Sequence, residues 1–298
     1  LLHYCIKLSE FCKVNLNQGN FASVDMKKFD NFIFALPALA EQERIVSILD
    51  RFDTLCNDIT SGLPAEIEAR QKQYEYKSLE LGQKIIYNKI IIQRQTLKSL
   101  RNKTIDCKRT IRKLDTLAES LTEDTLPLLS ILGVEGSASK IYFAEMFAFT
   151  DWKGRKPRIK QDYINSALDI GYTVLFNVID AVTGIYGFDT YYGVLHRCFY
   201  MRKSLICDLM EPFRAIIDTT VRKGINLKQI KEDDFEKIKG QYVLKYKKSS
   251  EYTALFLNAI MEIKEELFLY IQGYYRKFMK SAAVNEFPMF GEIKNGSN

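Results

Sequence analysis

YYGVLHRCFYMRKSLICDLMEPFR, residues Tyr191–Arg214, is the stretch on which the reading of the chain turns. It holds His196, one of two histidines in 298 residues, and then Asp208 and Glu211, three apart at what reads as the start of a helix. Residues three apart share a helical face, so both carboxylates can aim at one point. Carboxylate oxygens suit Mg²⁺ and Mn²⁺, and Mn²⁺ also accepts an imidazole nitrogen. Zinc fits less well, because neither a cysteine pair nor a second histidine accompanies the set. A buried histidine satisfied by a carboxylate would use the same residues, and spacing alone leaves the two readings open.

Outward from this stretch the hydrophobic period is helical on both sides. Downstream, Phe213, Ile216, Ile217 and Val221 form one stripe, Leu227–Tyr246 is charged with sparse apolar anchors, and Tyr252–Met279 reads as one long amphipathic helix. Upstream, Gly184, Gly187 and Gly193 bracket a loop leading into His196, and Asn165–Ile185 reads as a long apolar helix. Asp151–Arg158 is a basic loop containing the only tryptophan, Trp152. Before it, Val134–Ser139 reads as a small-residue turn whose single carboxylate, Glu135, could be brought close to the histidine. Helix is expected through 110–126, stopping at Pro127. The fold class that follows is mainly α.

Charge divides the chain. Residues 1–80 carry a net −3 and the remainder a net +9, so the basic part is the one to test against a polyanion. Between residues 81 and 115 stand ten Lys/Arg against two Asp. Arg94, Lys98 and Arg101 fall at i, i+4 and i+7 on one helical face, opposite Ile85, Ile86, Ile90 and Ile92. Phosphate contact is one reading and a solvated face the other. The six cysteines are scattered without a CxxC pair, which points to free thiols and a cytoplasmic protein. His3, Cys5 and Cys12 lie close together without a second ligand pair, so a zinc site there is disfavoured. The apolar run Tyr172–Phe188 is short and interrupted by Asn177 and Asp180, and no membrane association is expected.

Residues 1–36 read as a loop at Asn15–Asn20 and a short strand-like run of Phe29, Phe32, Ile33, Phe34 and Leu36. From Ala40, the residues Ile45, Ile48, Phe52, Leu55 and Ile59 repeat at 3, 4, 3 and 4, the seam of a coiled coil. Ser61-Gly62-Leu63-Pro64 predicts a stop and a restart, hence a helical hairpin. The stripe then continues across Tyr76–Leu81 without a turn signal. Two domains are expected, 1–80 and 81–298.

Two resemblances cover these parts. Leu39, Glu41-Gln42, Arg44-Ile45-Val46, Leu49-Asp50, Phe52, Ser61–Ile67 and Gln73–Tyr76 resemble the helical spacer of a type I restriction–modification specificity subunit, with residues 1–35 as the tail of a recognition domain. That resemblance implies a methyltransferase subunit docking through 40–76.

From about Leu81 to about Gly291 the chain resembles the helical domain of the CRISPR-associated endonuclease and integrase Cas-one. The resemblance is carried by Lys89 with Gln93-Arg94, Leu132–Gly136 with Tyr142-Phe143, Arg155–Pro157 with Asn165–Leu168 and Gly171-Tyr172, and Gly187–Asp189 with Gly193–His196 and Asp208–Arg214. It implies that Glu135, His196 and Glu211 hold Mg²⁺ or Mn²⁺, that Asp208 supports the site, and that a DNA 3′-hydroxyl attacks a phosphodiester in the CRISPR repeat. It also implies double-stranded DNA and a small second adaptation subunit as partners, and a homodimer built by a β-rich N-terminal domain in whose place this sequence carries the restriction spacer. Arg94, Lys98, Arg101, Lys156, Arg158 and Arg214 are the expected phosphate contacts.

Overall fold

In a computed structural model, the described residues are 8, 10–12, 14, 16–17, 23–24, 26–30, 32, 38–101, 105–122, 124–156, 159–196 and 199–292, with backbone alone for 16–17, 23–24, 26 and 51–76. The chain forms two compact units, 1–69 and 70–298.

In the first unit, Leu16–Asn17 (β1) and Ser23–Val24 (β2) pair antiparallel with Leu16 opposite Val24. The segment read as a loop therefore carries a short strand. Met26–Phe29 (α1) is a single helical turn, so Phe29 is helical rather than part of a strand. Phe32 is without regular structure and packs its ring 4.7 Å from that of Phe11. Ile33, Phe34 and Leu36, as well as His3 and Cys5, lie outside the described residues.

Leu39–Ser99 (α2) is one unbroken helix of 61 residues, and the expected hairpin at Ser61–Pro64 is absent. A proline inside a helix removes one backbone donor and crowds the preceding turn, at about 3 kcal/mol. Here Pro64 is followed by Ala65-Glu66-Ile67-Glu68-Ala69-Arg70-Gln71-Lys72, nearly all strong helix formers, and propagation wins over the local break. On the early part of α2, Leu39, Ile45, Val46, Ile48 and Leu49 are 40–72% exposed.

The second unit packs around the later part of α2, where Leu81, Ile85, Ile86, Ile90 and Leu97 are buried. Ile105–Glu119 (α3) buries Cys107, Ile111, Leu114 and Ala118, a helical period of three and four. Leu128–Met146 (α4) follows Pro127. Tyr163–Gly184 (α5) begins at Asp162, whose side chain accepts from the Asn165 N–H at 2.7 Å. By length and composition α5 could cross a membrane, but its Ala167, Leu168, Leu175 and Ile179 are buried in the protein core. Gly171 allows the close approach: a Cβ there would lie 2.4 Å from Ile217 Cγ2 and 2.9 Å from Phe256 Cε1.

After the loop of His196 come Ser204–Leu209 (α6), a 3₁₀ turn at Glu211–Phe213, and Arg214–Asn226 (α7). The charged segment read within a helical continuation instead forms an antiparallel hairpin, Phe235–Ile238 (β3) with Gln241–Leu244 (β4). Lys239 and Gly240 both take positive φ (50° and 80°), as its two-residue turn demands. The helix expected over Tyr252–Met279 is two, Ser249–Met261 (α8) and Lys264–Met279 (α9). The last described residues return to α2, where Asn88 accepts from the Phe290 N–H at 2.8 Å and donates to its carbonyl at 3.0 Å.

Candidate active site

Four elements meet at one cavity of about 1290 Å³, whose walls include Lys89 of α2, Glu135 of α4, His196 of the loop and Glu211 of the 3₁₀ turn. Glu135 lies mid-helix rather than in the expected turn. The small residues around it serve a different end: a Cβ on Gly133 or Gly136 would meet nothing within 4 Å. They leave the helix face bare beside the carboxylate.

The centre of the arrangement is a lysine. Lys89 sits in the buried stripe of α2, and its Nζ lies 2.5 Å from Glu135 Oε1 and 2.7 Å from Glu211 Oε2. Arg214 Nε approaches Glu211 Oε2 at 3.0 Å. Burial alone would raise the Glu211 carboxyl, but the Arg214 and Lys89 charges bring it down to about 2. Burial likewise works against a charged Lys89, and the two glutamates outweigh it, so its pKa is raised. The buried Glu211 Oε2 thus faces both cations at hydrogen-bonding distance. Its charge is matched by theirs.

Asp208 does something else. Its side chain is fully buried and turned to the backbone, accepting from the N–H groups of Val194 (2.7 Å), Leu195 (3.1 Å) and His196 (3.1 Å), with His196 Nδ1 at 2.5 Å. Asp208 and Glu211 therefore do not aim at one point: the helix ends at Leu209, and the 3₁₀ turn redirects Glu211. Asp208 clamps the loop and holds the imidazole, leaving Nε2 as the ring nitrogen free to meet a ligand. Gly193 makes the clamp possible, since a Cβ there would lie 2.7 Å from both Asp208 Oδ2 and the His196 carbonyl.

Behind Glu211 a buried network continues. Arg214 stacks over the Tyr172 ring at 4.7 Å, with Arg155 at 5.3 Å from the same ring. The Tyr172 hydroxyl donates to Asp218, which also accepts from the Tyr142 hydroxyl at 3.1 Å. Burial pushes the Asp218 carboxyl up to about 6, against the pull of those two hydrogen bonds.

The expected phosphate contacts divide. Arg214 lines the cavity. Arg94 is half-buried and pairs with Asp115 at 2.5 Å. Lys98 and Arg101 are exposed, and Arg101 lies beyond the end of α2 rather than on its face. Lys156 is exposed, its backbone N–H held by Asn165, and Arg158 lies outside the described residues. The cavity's own cations are others: Lys140, Lys153, Arg155, Lys160 and Arg202. Lys153 and Arg155 belong to the basic loop legible in the sequence, whereas Lys140, Lys160 and Arg202 escaped it because they come from separate elements with no shared period. For Lys89 a signal existed, a lone charge on the stripe of Ile85, Ile86 and Ile90.

Among the described residues, no three His, Cys, Asp or Glu side chains stand together as a metal-ligand group. Lys89 is placed between the two carboxylates. The donor chemistry nonetheless fits a hard divalent cation: two carboxylates and an oriented imidazole on the wall of one cavity.

A family model described as CRISPR associated protein Cas1 matches residues 33–258. The chain belongs to the Cas1 family. The CRISPR-associated endonuclease Cas1 1 of Francisella tularensis subsp. novicida is 35% identical over 170 residues, which cover 53% of this chain and 53% of that relative. The chain thus spans about half the length of this Cas1. A solved chain of a Cas6-RT-Cas1–Cas2 complex matches with a TM-score of 0.66 at 27% identity, covering 72% of this chain and 25% of that one. A separate likeness is to the type I restriction enzyme EcoR124I/EcoR124II specificity subunit of Escherichia coli, 62% identical over 58 residues, 20% of this chain and 14% of the relative. Membership of the Cas1 family, a restriction specificity-subunit fragment, and a mainly helical fold are the sequence expectations that these findings bear out.

Proposed function

We propose that the chain is a metal-dependent DNA endonuclease and integrase of CRISPR spacer acquisition, with its chemistry at Glu135, His196 and Glu211. The observation that carries this reading is the pair of carboxylates brought to one cation at the wall of a cavity rich in Lys and Arg. Two carboxylates from different elements would repel unless a cation joined them, and a basic cavity is where a phosphodiester settles.

The reaction is a transesterification. A DNA 3′-hydroxyl attacks the scissile phosphorus, a new P–O bond forms, the old P–O3′ bond breaks, and the departing 3′ oxygen takes up a proton. One phosphodiester replaces another, so no outside energy source is required. A Mg²⁺ or Mn²⁺ held by Glu135, Glu211 and His196 would polarise the phosphate and stabilise the departing oxygen. Asp208 keeps His196 in one tautomer and orientation. Arg155, Lys140, Lys153, Lys160 and Arg202 hold the DNA backbone without reading bases, and Arg214 offsets negative charge as it builds on the phosphorane. In this reading residues 81–298 form the catalytic domain, double-stranded DNA is the substrate, and a small second adaptation subunit of the kind named in the Cas1–Cas2 complex is a partner. A homodimer supplies a second active site.

Strand transfer tests this. A prespacer duplex with free 3′-hydroxyls, a repeat-bearing plasmid and the small subunit should give joined products with Mn²⁺ or Mg²⁺ and none with EDTA. His196→Ala should lower the yield by about 10–100-fold or more. Activity retained in that variant or in EDTA would overturn the reading.

A second reading rests on the exposed stripe of α2. Leu39, Ile45, Val46, Ile48 and Leu49 face solvent in the part of the chain read as restriction spacer. Docking of a methyltransferase subunit through 40–76 would cover them. Co-purification lost on Ile48→Asp supports this function, and co-purification unchanged by it counts against it.

A further inference from the structure

Among the described residues, Lys89 is the one charged side chain that pairs with both glutamates of the site, and it comes from the interior of a packed helix. Its side chain is 7% exposed, flanked by the fully buried Ile86 and Ile90. A lysine on such a stripe costs desolvation that only matched charge offsets. The local balance is even: Lys89 and Arg214 against Glu135 and Glu211. With Lys89 in place, the two glutamates attract a dication less strongly than they would alone. Arg214 is anchored in place by its stacking on the Tyr172 ring. Lys89 has a flexible four-carbon stem, and it also lines the cavity.

We propose that Lys89 is a built-in counter-cation that competes with a divalent metal for Glu135 and Glu211, and that metal binding releases its ammonium into the cavity, where a DNA phosphate takes it up. The inference rests on the reading of those glutamates as metal ligands. It makes two roles successive for one side chain: first it holds the carboxylates together, then it holds the substrate. Binding of metal and of DNA are thereby coupled, because the phosphate offers the displaced ammonium a new partner, and coupling of this kind is reciprocal.

The test is Mn²⁺ binding to the full chain, measured by titration calorimetry in wild type, Lys89→Met and Glu211→Gln. Lys89→Met should bind Mn²⁺ about tenfold or more tightly than wild type, and Glu211→Gln should lose binding. A duplex of nonspecific DNA should tighten Mn²⁺ binding in wild type and leave Lys89→Met unmoved. If wild type and Lys89→Met bind with equal affinity while Glu211→Gln abolishes binding, the competition is refuted and the metal reading stands. If no Mn²⁺ binding sensitive to Glu211→Gln exists in either protein, both fall. Should Lys89→Met not fold, the wild type decides alone. Acetylation of Lys89 by an N-hydroxysuccinimide ester, read by peptide mass spectrometry, should rise several-fold on adding Mn²⁺, and an unchanged level overturns the proposal.

Discussion

Asp208 and Gly193 make one device. The carboxylate gathers three consecutive N–H groups and an imidazole, and the glycine clears the space the loop needs. Gly193→Ala places a methyl against Asp208, and its expected effect is a loss of about 1–3 kcal/mol together with loss of strand transfer. Urea unfolding and the transfer assay read the two. From spacing, Asp208 and Glu211 looked like twin ligands, since i and i+3 share a face in a continuing helix. What the spacing could not show is that the helix stops between them. Asp218 carries a different prediction. Its folded pKa of about 6 is raised above the ordinary 3.8, so the stability linked to its protonation is full below the lower value and is lost as pH rises through the upper. Asp218→Asn should therefore gain on wild type by roughly 3 kcal/mol between about pH 4 and about pH 7, measured by urea unfolding at both ends. A pH-independent difference would contradict the assignment.

At the scale of elements, α5 was legible within two residues at each end, and α2 was legible in kind and misjudged in detail. The apolar period located both helices, while Gly62 and Pro64 suggested a break that the surrounding helix formers override. The two architectures predict opposite results for Pro64→Ala. In an unbroken helix the alanine restores a hydrogen bond, worth up to about 3 kcal/mol, and hydrogen exchange should slow around residues 60–68. In a hairpin, where proline suits the first turn of a new helix, exchange would stay the same or quicken. The hairpin β3–β4 escaped the sequence reading because charged residues fill Leu227–Tyr246 and hide the alternation, and Lys239-Gly240 is a less familiar turn pair than Asn-Gly. Gly171 is the packing constraint of α5. Gly171→Val should cost about 1–3 kcal/mol or more by forcing apart Ile217 and Phe256, visible as a lowered melting temperature.

Across the whole molecule, the division of charge into a net −3 over residues 1–80 and a net +9 beyond was readable from composition, and so was the helical class. Motifs single out Glu135, His196 and Glu211 in the sequence, and the fold brings all three to one cavity wall. The cavity they share was not legible, since its cations come from α2, α4, the Trp152 loop and the segment before α6. Lys89 shows the same limit most sharply: only the fold brings an interior position of α2 against carboxylates 46 and 122 residues away. In the proposed function these groups form a metal-dependent transesterification site. The most direct measurement is the resolution of a branched DNA, which a single site can perform without ordered integration at two ends. With Mn²⁺, wild type should rejoin the continuous strand and release the branch, while Glu211→Gln and Glu135→Gln, melting within a few degrees of wild type, should lose more than about 100-fold. Resolution by either glutamine variant at the wild-type rate, or by wild type in EDTA, would contradict the account.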